Sequence, residues 1–330
     1  MAHMSYNFEC KRILITGGLG FIGSNLAIRL VDLGADVTII DSLIPEYGGN
    51  ECNIESIRNK VRVNISDVRD QYSIERLLAG QDYLFNLAGQ TSHMDSMVDP
   101  FTDMEINVRA QISLLEACRK CNPNIRIVFA STRQIYGKPD YLPVDEEHLL
   151  RPVDANGINK MAGEWYHILY NNVYGIRSTA LRLTNTFGPR MRIKDTRQTF
   201  LGIWIRKILE GEPIEVWGGD QLRDFTYVDD CVEALLLAAS NTSAEGQIFN
   251  LGGNPVLSLK ELADLAVKGV GSGRYIIKEF PQDRKKIDIG GYYSDFSKIN
   301  GTLGWEPQIT LSKGLKITFD YYRSNLDAYL

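Results

Sequence analysis

A glycine-rich turn between the first predicted strand and the first predicted helix constrains the fold of this chain more than any other feature. Residues 13–15 form a short apolar run, and Gly18, Gly20 and Gly23 behind it match the spacing G-x-G-x-x-G. In this pattern the first glycine permits a tight turn, the second lets the backbone approach a pyrophosphate, and the third allows close packing of helix on strand. Unpaired N–H groups at the helix start also favour an anion. The predicted phosphate-binding residues are Gly17, Gly20, Phe21, Ile22 and Gly23.

A carboxylate follows the second predicted strand. Asp41 comes directly after the apolar run of residues 37–40, about 20 positions after Gly20, which is the spacing found in dinucleotide-binding folds. A carboxylate at this place accepts hydrogen bonds from both hydroxyls of a ribose and repels a 2′-phosphate. The sequence therefore predicts NAD, rather than NADP, as the cofactor.

Short apolar runs alternate with helical patterns over the first 185 residues. Several of the runs are apolar on both faces, which is typical of parallel strands covered by helices on both sides. The predicted strands are 13–15, 37–40, 61–63, 83–85, 125–129 and 180–183, and the predicted helices are 21–33, 71–78, 107–121 and 160–170. We therefore expect an α/β fold with a Rossmann-type doubly wound parallel sheet in residues 5–185. A smaller C-terminal substrate-binding lobe is expected in 186–330, with about 225–250 returning to the main domain.

Charge and cysteine content argue against several classes of protein. Lys and Arg total 36 against 41 Asp and Glu, a formal net charge of -5 without a dense basic run, so no nucleic-acid partner is expected. Apolar runs such as 234–239 are far shorter than the roughly 20 residues that cross a bilayer, so no membrane association is expected. The five cysteines are odd in number and irregularly spaced, which is typical of free thiols in the cytoplasm. Cys118 and Cys121 lack a second ligand pair, so no metal site is expected.

Further motifs follow the later predicted strands. They read Asn-Leu-Ala-Gly at 86–89, Ser-Thr-Arg-Gln-Ile-Tyr-Gly at 131–137 and Arg-Asp-Phe at 223–225. Together with the glycine loop, these motifs resemble those of the extended short-chain dehydrogenase/reductases of the NAD-dependent epimerase/dehydratase family, which act on nucleotide sugars. The resemblance covers residues 12–321 and implies an NAD-dependent enzyme that binds a nucleotide-diphosphate sugar, with UDP as the expected nucleotide. Because family members commonly dimerise through helices corresponding to 107–121 and 156–170, it also implies a homodimer.

The resemblance assigns roles to the residues that match the motifs. Thr132 is expected to hydrogen-bond the reacting sugar hydroxyl, and Asn185 and Arg223 are expected to contact the diphosphate of the substrate. Apart from the resemblance, the charged run 283–286 either closes over the same diphosphate, with Arg284 as the contact, or is a solvated surface segment. The expected cofactor contacts are Asp67 and Val68 to the adenine, Lys160 to the nicotinamide ribose, and in addition Leu87, Ala88, Gly89 and Asn107.

The chain departs from the family pattern at residue 156. Family members carry a tyrosine four residues before the lysine, and its phenol takes the proton of the sugar hydroxyl because nearby positive charge lowers its pKa. Here the position is Asn156, which cannot ionise, and none of the 16 tyrosines has a lysine four residues later. Three interpretations stay open: His93 or a desolvated Lys160 acts as the catalytic base, the protein binds both ligands without catalysis, or Asn156 is an engineered inactivation.

The two residues after Thr132 bear on the type of reaction. Related 4,6-dehydratases carry Asp and Glu there, as the acid and base of an elimination across C5 and C6, and related decarboxylases usually keep the Glu. Arg133 and Gln134 supply neither group. The sequence therefore favours epimerisation at C4 through a keto sugar, with Gln134 in the substrate site. Arg133 suits either an anionic sugar or a salt bridge to an acidic side chain.

Overall fold

Thirteen strands and eleven α-helices lie in the described residues of this computed structural model, which are 6–197, 199–270, 273–282 and 287–330. The strands are β1 (Arg12–Thr16), β2 (Asp36–Asp41), β3 (Arg62–Ile65), β4 (Tyr83–Asn86), β5 (Arg126–Thr132), β6 (Ser178–Leu183), β7 (Asn185–Phe187), β8 (Ile214–Trp217), β9 (Leu222–Arg223), β10 (Phe225–Tyr227), β11 (Ile248–Asn250), β12 (Leu257–Ser258) and β13 (Tyr275–Lys278). The helices are α1 (Phe21–Asp32), α2 (Gln71–Leu78), α3 (His93–Val98), α4 (Pro100–Met104), α5 (Ala110–Cys121), α6 (Ala155–Tyr174), α7 (Phe200–Leu209), α8 (Val228–Ser240), α9 (Leu259–Val270), α10 (Ser297–Leu303) and α11 (Leu311–Asn325).

The central sheet has seven strands in the order β11-β6-β5-β4-β1-β2-β3, and every neighbouring pair is parallel. Strand order reverses between β1 and β4, the point at which doubly wound sheets bind ligands at the carboxyl ends of their strands. The predicted Rossmann-type α/β fold is confirmed. The last strand, β11, comes from residues beyond 185 and pairs with β6.

Both faces of the sheet are covered by helices, which explains the apolar runs. In β1, Ile13 and Ile15 pack into a core with α1 and α8, whereas Leu14 between them packs into a core with α2 and α5. Alternate side chains of a strand point to opposite faces, so a strand covered on both sides is apolar throughout. None of the described helices is both long and apolar enough to cross a membrane.

The smaller lobe has a core of its own. Helices α7 and α9 pack against β8, which pairs in parallel with β13, and α11 packs against both helices. The antiparallel pair β9–β12 and the parallel pair β7–β10 connect this lobe to the edge of the cleft described below. Buried members of this core include Leu201, Trp204, Ile205, Ile214, Val216, Leu262, Leu315 and Phe319.

Element boundaries differ most from the sequence expectation around two helices. The predicted helix 107–121 begins earlier, because a π-helical turn over Glu105–Arg109 runs directly into α5. The predicted helix 160–170 extends over all of α6, from the Asp154 cap, whose carboxylate accepts from Gly157 N, to the left-handed Gly175. The two ends of α6 are therefore marked by local sequence signals, a capping acid and a terminal glycine.

Candidate functional site

One cleft crosses the carboxyl ends of the sheet strands and encloses about 280 Å³. Most of the residues predicted for the site line it: Gly17, Gly20, Phe21, Ile22, Gly23, Asp41, Asp67, Val68, Leu87, Ala88, Gly89, His93, Thr132, Arg133, Gln134, Asn156, Lys160 and Asn185. Asn107 and Arg223 are not in its lining and are buried close to residues that are. Arg284 lies outside the described residues.

The glycine loop is locked against the strand beside it. Gly17 has φ +70°, and a Cβ there would lie 3.0 Å from the backbone of Ala88. The Thr16 hydroxyl accepts from the N–H groups of Leu87 (3.0 Å) and Ala88 (3.1 Å). A Cβ on Gly23 would lie 2.2 Å from the carbonyl oxygen of Gly17. The turn and the helix behind it therefore approach each other more closely than any side chain permits.

The start of α1 fits a pyrophosphate. No side chain caps Gly20, and no acidic residue lies in the first turn of the helix. The N-terminal N–H groups and the positive end of the helix dipole therefore remain available to an anionic ligand. By contrast, the N-terminus of α7 is capped by its own Thr199 hydroxyl, which accepts from Leu201 N.

Asp41 is held at the end of β2 by the backbone. Its two carboxylate oxygens accept from Leu43 N and Leu19 N, each at 3.0 Å. Burial raises the pKa of Asp41, and these N–H bonds act in the opposite direction. Each oxygen keeps a lone pair, so the carboxylate is oriented for the hydroxyls of a ribose.

Asp67 lies further along the cleft and is paired with a cation. Arg69 contacts both of its oxygens, with Nε to Oδ1 at 3.0 Å and Nη2 to Oδ2 at 2.7 Å. These hydrogen bonds lower the pKa of Asp67. The carboxylate is thus ionised and fixed beside Val68, at the end of the cleft where the adenine is expected.

Lys160 reaches the middle of the cleft from α6. Its Nζ donates to the carbonyl of Ala130 (3.0 Å) and lies 5.0 Å from the ring centre of Phe129. Burial lowers the pKa of Lys160 to about 8, although the charge of Asp103 acts in the opposite direction. A Cβ on Gly89 would lie 2.9 Å from this Nζ and 3.0 Å from Asn107 Oδ1.

This part of the cleft fits the nicotinamide ribose. Asn107 is fully buried, and its Oδ1 has no hydrogen-bond partner among the described residues. An unpaired buried amide oxygen beside an ammonium group is costly unless a ligand completes the hydrogen bonds. The bare backbone of Gly89 leaves the space that such a ligand needs.

The side chain of Asn156 is engaged in structural hydrogen bonds. Its Nδ2 donates to the carbonyl of Gln90 (2.8 Å) and to Asp103 Oδ2 (3.0 Å), and its backbone N donates to Ser96 Oγ. The residue is 2% exposed. The amide therefore links α6 to α4 and the loop after β4.

His93, the first residue of α3, stands on the wall of the cleft near Gln134. Its Nδ1 lies 3.1 Å from Asp154 Oδ2, and the imidazole is 37% exposed whereas the carboxylate is 1% exposed. Gln134 Nε2 also donates to Asp154 Oδ2, at 3.2 Å. His93, the one histidine among the described residues that line the cleft, thus contacts a buried carboxylate.

Two arginines lie at the far end of the cleft. Arg133 Nη2 donates to Asn185 Oδ1 (3.1 Å), and its guanidinium lies 5.1 Å from the ring centre of Tyr292. Its Nη1 is buried and has no hydrogen-bond partner in the described part of the chain. Burial lowers the pKa of Arg223 to about 10, and the positive charge of Arg133 adds to this effect. Arg223 also lies 3.8 Å from Asp288 Oδ1. Two neighbouring arginines, one of them with an unpaired Nη1, are suited to a diphosphate.

Sequence reasoning missed three residues of this site. Asp154 and Asp103 hold His93 and Asn156, and Tyr292 packs under Arg133. Asp154 carried a local signal, an Asp directly before a helix, which identifies a helix cap but not its second partner. Tyr292 lies far along the chain from Arg133, and no local sequence signal indicated their contact.

A parallel doubly wound sheet with a glycine loop, a ribose-binding carboxylate and a buried lysine defines a dinucleotide-binding α/β enzyme. The chain belongs to the NAD dependent epimerase/dehydratase family, whose sequence model matches residues 13–252. The predicted family and its cofactor NAD are thereby confirmed.

The relatives act on nucleotide sugars. The chain is 35% identical to a putative UDP-glucose 4-epimerase of Methanocaldococcus jannaschii, over 95% of this chain and 99% of that protein. It is 32% identical to UDP-glucuronic acid decarboxylase 1 of Xenopus tropicalis, over 96% of this chain and 73% of that protein. Among solved structures, it is similar to UDP-glucose 4-epimerase with UDP-glucose from Thermotoga maritima, with a TM-score of 0.87, 30% identity and coverage of 96% and 99%.

Proposed function

We propose that this protein is an NAD-dependent epimerase that inverts C4 of a UDP-sugar through a keto intermediate. One observation carries the proposal: among the described residues that line the cleft, the carboxylic acids are Asp41 and Asp67, and both lie at the end that receives adenosine. At the end that receives the sugar, the described lining residues include Thr132, His93 and Lys160 but no carboxylic acid, and Asp154, which contacts His93, is buried.

This distribution of acids separates the candidate reactions. An elimination across C5 and C6 needs an acid for the leaving hydroxyl and a base for the C5 proton. In this chain those positions carry Arg133, which is bound to Asn185, and Gln134, which is bound to Asp154. Oxidation at C4 and reduction from the other face need a single proton acceptor, and the cleft supplies candidates for it.

The residues divide the work as follows. Gly20, the first turn of α1 and Asp41 hold the pyrophosphate and the adenosine ribose, and Lys160 holds the nicotinamide ribose. NAD, when bound, takes a hydride from the sugar and returns it. Thr132 hydrogen-bonds the reacting hydroxyl, and Arg133 and Arg223 bind the diphosphate. The diphosphate therefore stays in place while the keto sugar rotates to present its other face.

Non-catalytic binding of NAD and a nucleotide sugar is the second candidate function. The observation in its favour is that Asn156, at the position of the family phenol, is committed to hydrogen bonds with Asp103 and Gln90. Such a protein holds both ligands and leaves the sugar unchanged.

Nuclear magnetic resonance of the products tests the proposal. The protein is incubated with NAD and, separately, UDP-glucose, UDP-N-acetylglucosamine, UDP-glucuronate and dTDP-glucose. We expect the C4 epimer of at least one UDP-sugar. A 4-keto-6-deoxy sugar identifies a dehydratase, and a pentose with released carbon dioxide identifies a decarboxylase. Thermal stabilisation without a new sugar identifies a binding protein and contradicts the proposal.

A homodimer through α6 is part of the proposal. Four apolar side chains lie half-exposed along one side of this helix: Ile158, Trp165, Leu169 and Val173. Neighbouring α4 adds Phe101, which is 75% exposed. Large exposed apolar side chains that recur along one helix are typical of an interface. We expect Trp165→Lys to convert a dimer into a monomer in analytical ultracentrifugation, and Ile317→Lys on α11 to leave it a dimer. A cytoplasmic location stays a prediction.

A further inference from the structure

On the wall of the cleft, the partly exposed ring of His93 contacts the buried carboxylate of Asp154. Nδ1 of the ring lies 3.1 Å from a carboxylate oxygen, the carboxylate is almost fully buried, and the ring is partly open to the cleft. The other histidines in the described residues, His148 and His167, are 3% and 0% exposed and do not line the cleft. A histidine oriented by a carboxylate is a recurrent arrangement for general-base catalysis.

We infer that His93 is the catalytic proton acceptor of this enzyme, in place of the phenol lost at Asn156, and that Asp154 is its positioning residue. The inference rests on the proposed function, because it names the base of that reaction. It assigns Asp154 a role that its helix-capping position alone does not require.

The contacts of Asp154 indicate which tautomer the His93 ring adopts. Asp154 Oδ2 lies 3.1 Å from His93 Nδ1 and 3.2 Å from Gln134 Nε2, which can only donate; Gln134 Nε2 also lies 3.4 Å from His93 Nδ1. An ionised carboxylate can only accept, and its contact with Nδ1 is shorter than that of Gln134 with Nδ1, so we assign the proton to Nδ1 and the lone pair to Nε2. Burial alone would raise the pKa of Asp154, but hydrogen bonds from His93, Gly157 N and Gln134 bring it below the usual value. The carboxylate is thus ionised and fixes the tautomer.

The proton balance of the reaction follows from this tautomer. Nε2 of His93 takes the proton of the sugar C4 hydroxyl while that carbon is oxidised to a ketone by NAD⁺, which becomes NADH. The imidazolium is stabilised by the Asp154 carboxylate. When the ketone is reduced from its other face, Nε2 returns the proton to the oxygen, so no external acid, base or oxidant is consumed.

Lys160 and Asn156 are engaged elsewhere. Lys160 Nζ donates to the Ala130 carbonyl and faces the Phe129 ring, and Asn156 donates to Gln90 and Asp103. Asn156 also has a much shorter side chain than the tyrosine it replaces. The first turn of α6 therefore leaves the cleft beside His93 free of a phenol.

Asp154 ties the histidine to the helix that carries the rest of the site. Its Oδ1 accepts from Gly157 N at 2.7 Å and caps α6, while its Oδ2 holds the ring. Among the described residues, Asp95 on the same helix pairs with Arg197 at 3.0 Å, and Lys160, whose pKa responds to Asp103, lines the same cleft as His93. A pH profile assigned to His93 must be compared against these groups.

The tautomer is measured without turnover. Long-range ¹H–¹⁵N correlation spectra of histidine-labelled protein, with His93→Gln to assign the signal, report which ring nitrogen carries the proton. We expect the Nδ1–H form in the wild type and a shift towards Nε2–H in Asp154→Asn, because an amide presents a donor to Nδ1 and still caps α6. Asp70→Asn is the matched control, since Asp70 caps α2 in the same way, and it leaves the tautomer unchanged.

Kinetics test the catalytic role. With the UDP-sugar that the wild type epimerises, we expect Asp154→Asn and His93→Gln to lower kcat by about 10²–10⁴-fold with little change in KM, the size of a general-base contribution. The acid limb of the kcat profile disappears in His93→Gln. Asp154→Ser, which also caps a helix, gives the same loss if Asp154→Asn unfolds.

Each result decides the inference. An Nε2–H ring in the wild type, wild-type kcat in His93→Gln, or an unaltered acid limb in that variant overturns it. If the wild type binds NAD but converts no sugar, the proposed function has failed and the catalytic role fails with it, whereas an Nδ1–H ring that responds to Asp154→Asn still establishes Asp154 as the positioning residue of His93.

Discussion

The side-chain amide of Asn156 donates to the buried carboxylate of Asp103 at 3.0 Å. Asn159, one turn later on α6, donates to the other oxygen of the same carboxylate at 2.7 Å. Asp103 is 1% exposed, so these amides supply much of what water would otherwise provide to the charge. Asn156, which the family pattern predicts to stand where relatives carry a tyrosine, is thus a structural partner of α4.

Asn156→Ala removes this support. We expect the variant to lose about 1–3 kcal/mol of unfolding free energy, because a buried charge loses a donor, as measured by urea denaturation. Asn172→Ala, at an exposed position of the same helix, is expected to change stability by less than about 0.5 kcal/mol. Equal effects of the two substitutions would contradict the role given to Asp103.

Asn156→Tyr restores the family phenol but does not restore the family site. The larger side chain has to displace the contacts with Gln90 and Asp103, and in the mechanism that we propose His93 is the base. We expect turnover that is unchanged or lower, together with lower thermal stability. A rise in the rate of NADH formation on addition of a UDP-sugar would instead identify a decayed tyrosine-dependent enzyme.

Asp41→Asn changes the choice of cofactor. The variant keeps an oxygen for one backbone N–H but loses the charge that favours ribose hydroxyls and repels a 2′-phosphate. Loss of a charged hydrogen bond, about 1.5–3 kcal/mol, corresponds to roughly a 10–100-fold weaker affinity for NAD, and the preference over NADP narrows. Isothermal titration calorimetry measures both, with Asp32→Asn on the exposed end of α1 as the control. An unchanged ratio of the two affinities would contradict the prediction.

Lys160 makes stability depend on pH above neutrality. Burial lowers its folded pKa to about 8 from an ordinary value of 10.5. Between these values the unfolded chain holds a proton that the folded chain does not, so this group makes stability rise with pH, by at most about 1.4 kcal/mol per pH unit. Below pH 8 its contribution is constant.

The buried thiols of Cys118 and Cys231 act in the opposite direction, since burial raises the pKa of each to about 12. The measurement is therefore a difference: urea denaturation of the wild type and of Lys160→Met between pH 8 and 9.5. We expect the wild-type curve to have the more positive slope. Parallel curves would show that Lys160 is not desolvated.

Gly23→Ala tests the closeness of the phosphate loop. The new Cβ lies 2.2 Å from the carbonyl oxygen of Gly17, so we expect a loss of about 1–3 kcal/mol from overpacking and no binding of NAD by calorimetry. Gly301→Ala in α10, where a Cβ meets nothing within 4 Å, is expected to gain about 0.5–1 kcal/mol. If Gly23→Ala still binds NAD, the prediction that this loop holds the pyrophosphate is wrong.

Sequence reasoning found the parts of this site that are local in the chain. The loop at Gly17–Gly23 and Asp41 each follow a strand directly, and a parallel sheet brings the carboxyl ends of its strands together. The contacts of His93 with Asp154 and of Arg133 with Asn185 and Tyr292 join distant segments through side-chain orientation, which no spacing rule encodes. The roles of the site residues, and the division of the chain at 185/186, stay predictions.

Because one carboxylate both caps helix α6 and contacts the imidazole of α3, the proton transfer that we propose depends on where the longest of the described helices begins. A substitution that shifts the entry of that helix by a fraction of an ångström also re-aims the ring. Attempts to transplant a tyrosine-dependent mechanism onto this scaffold therefore have to rebuild the corner around residue 154, and not residue 156 alone.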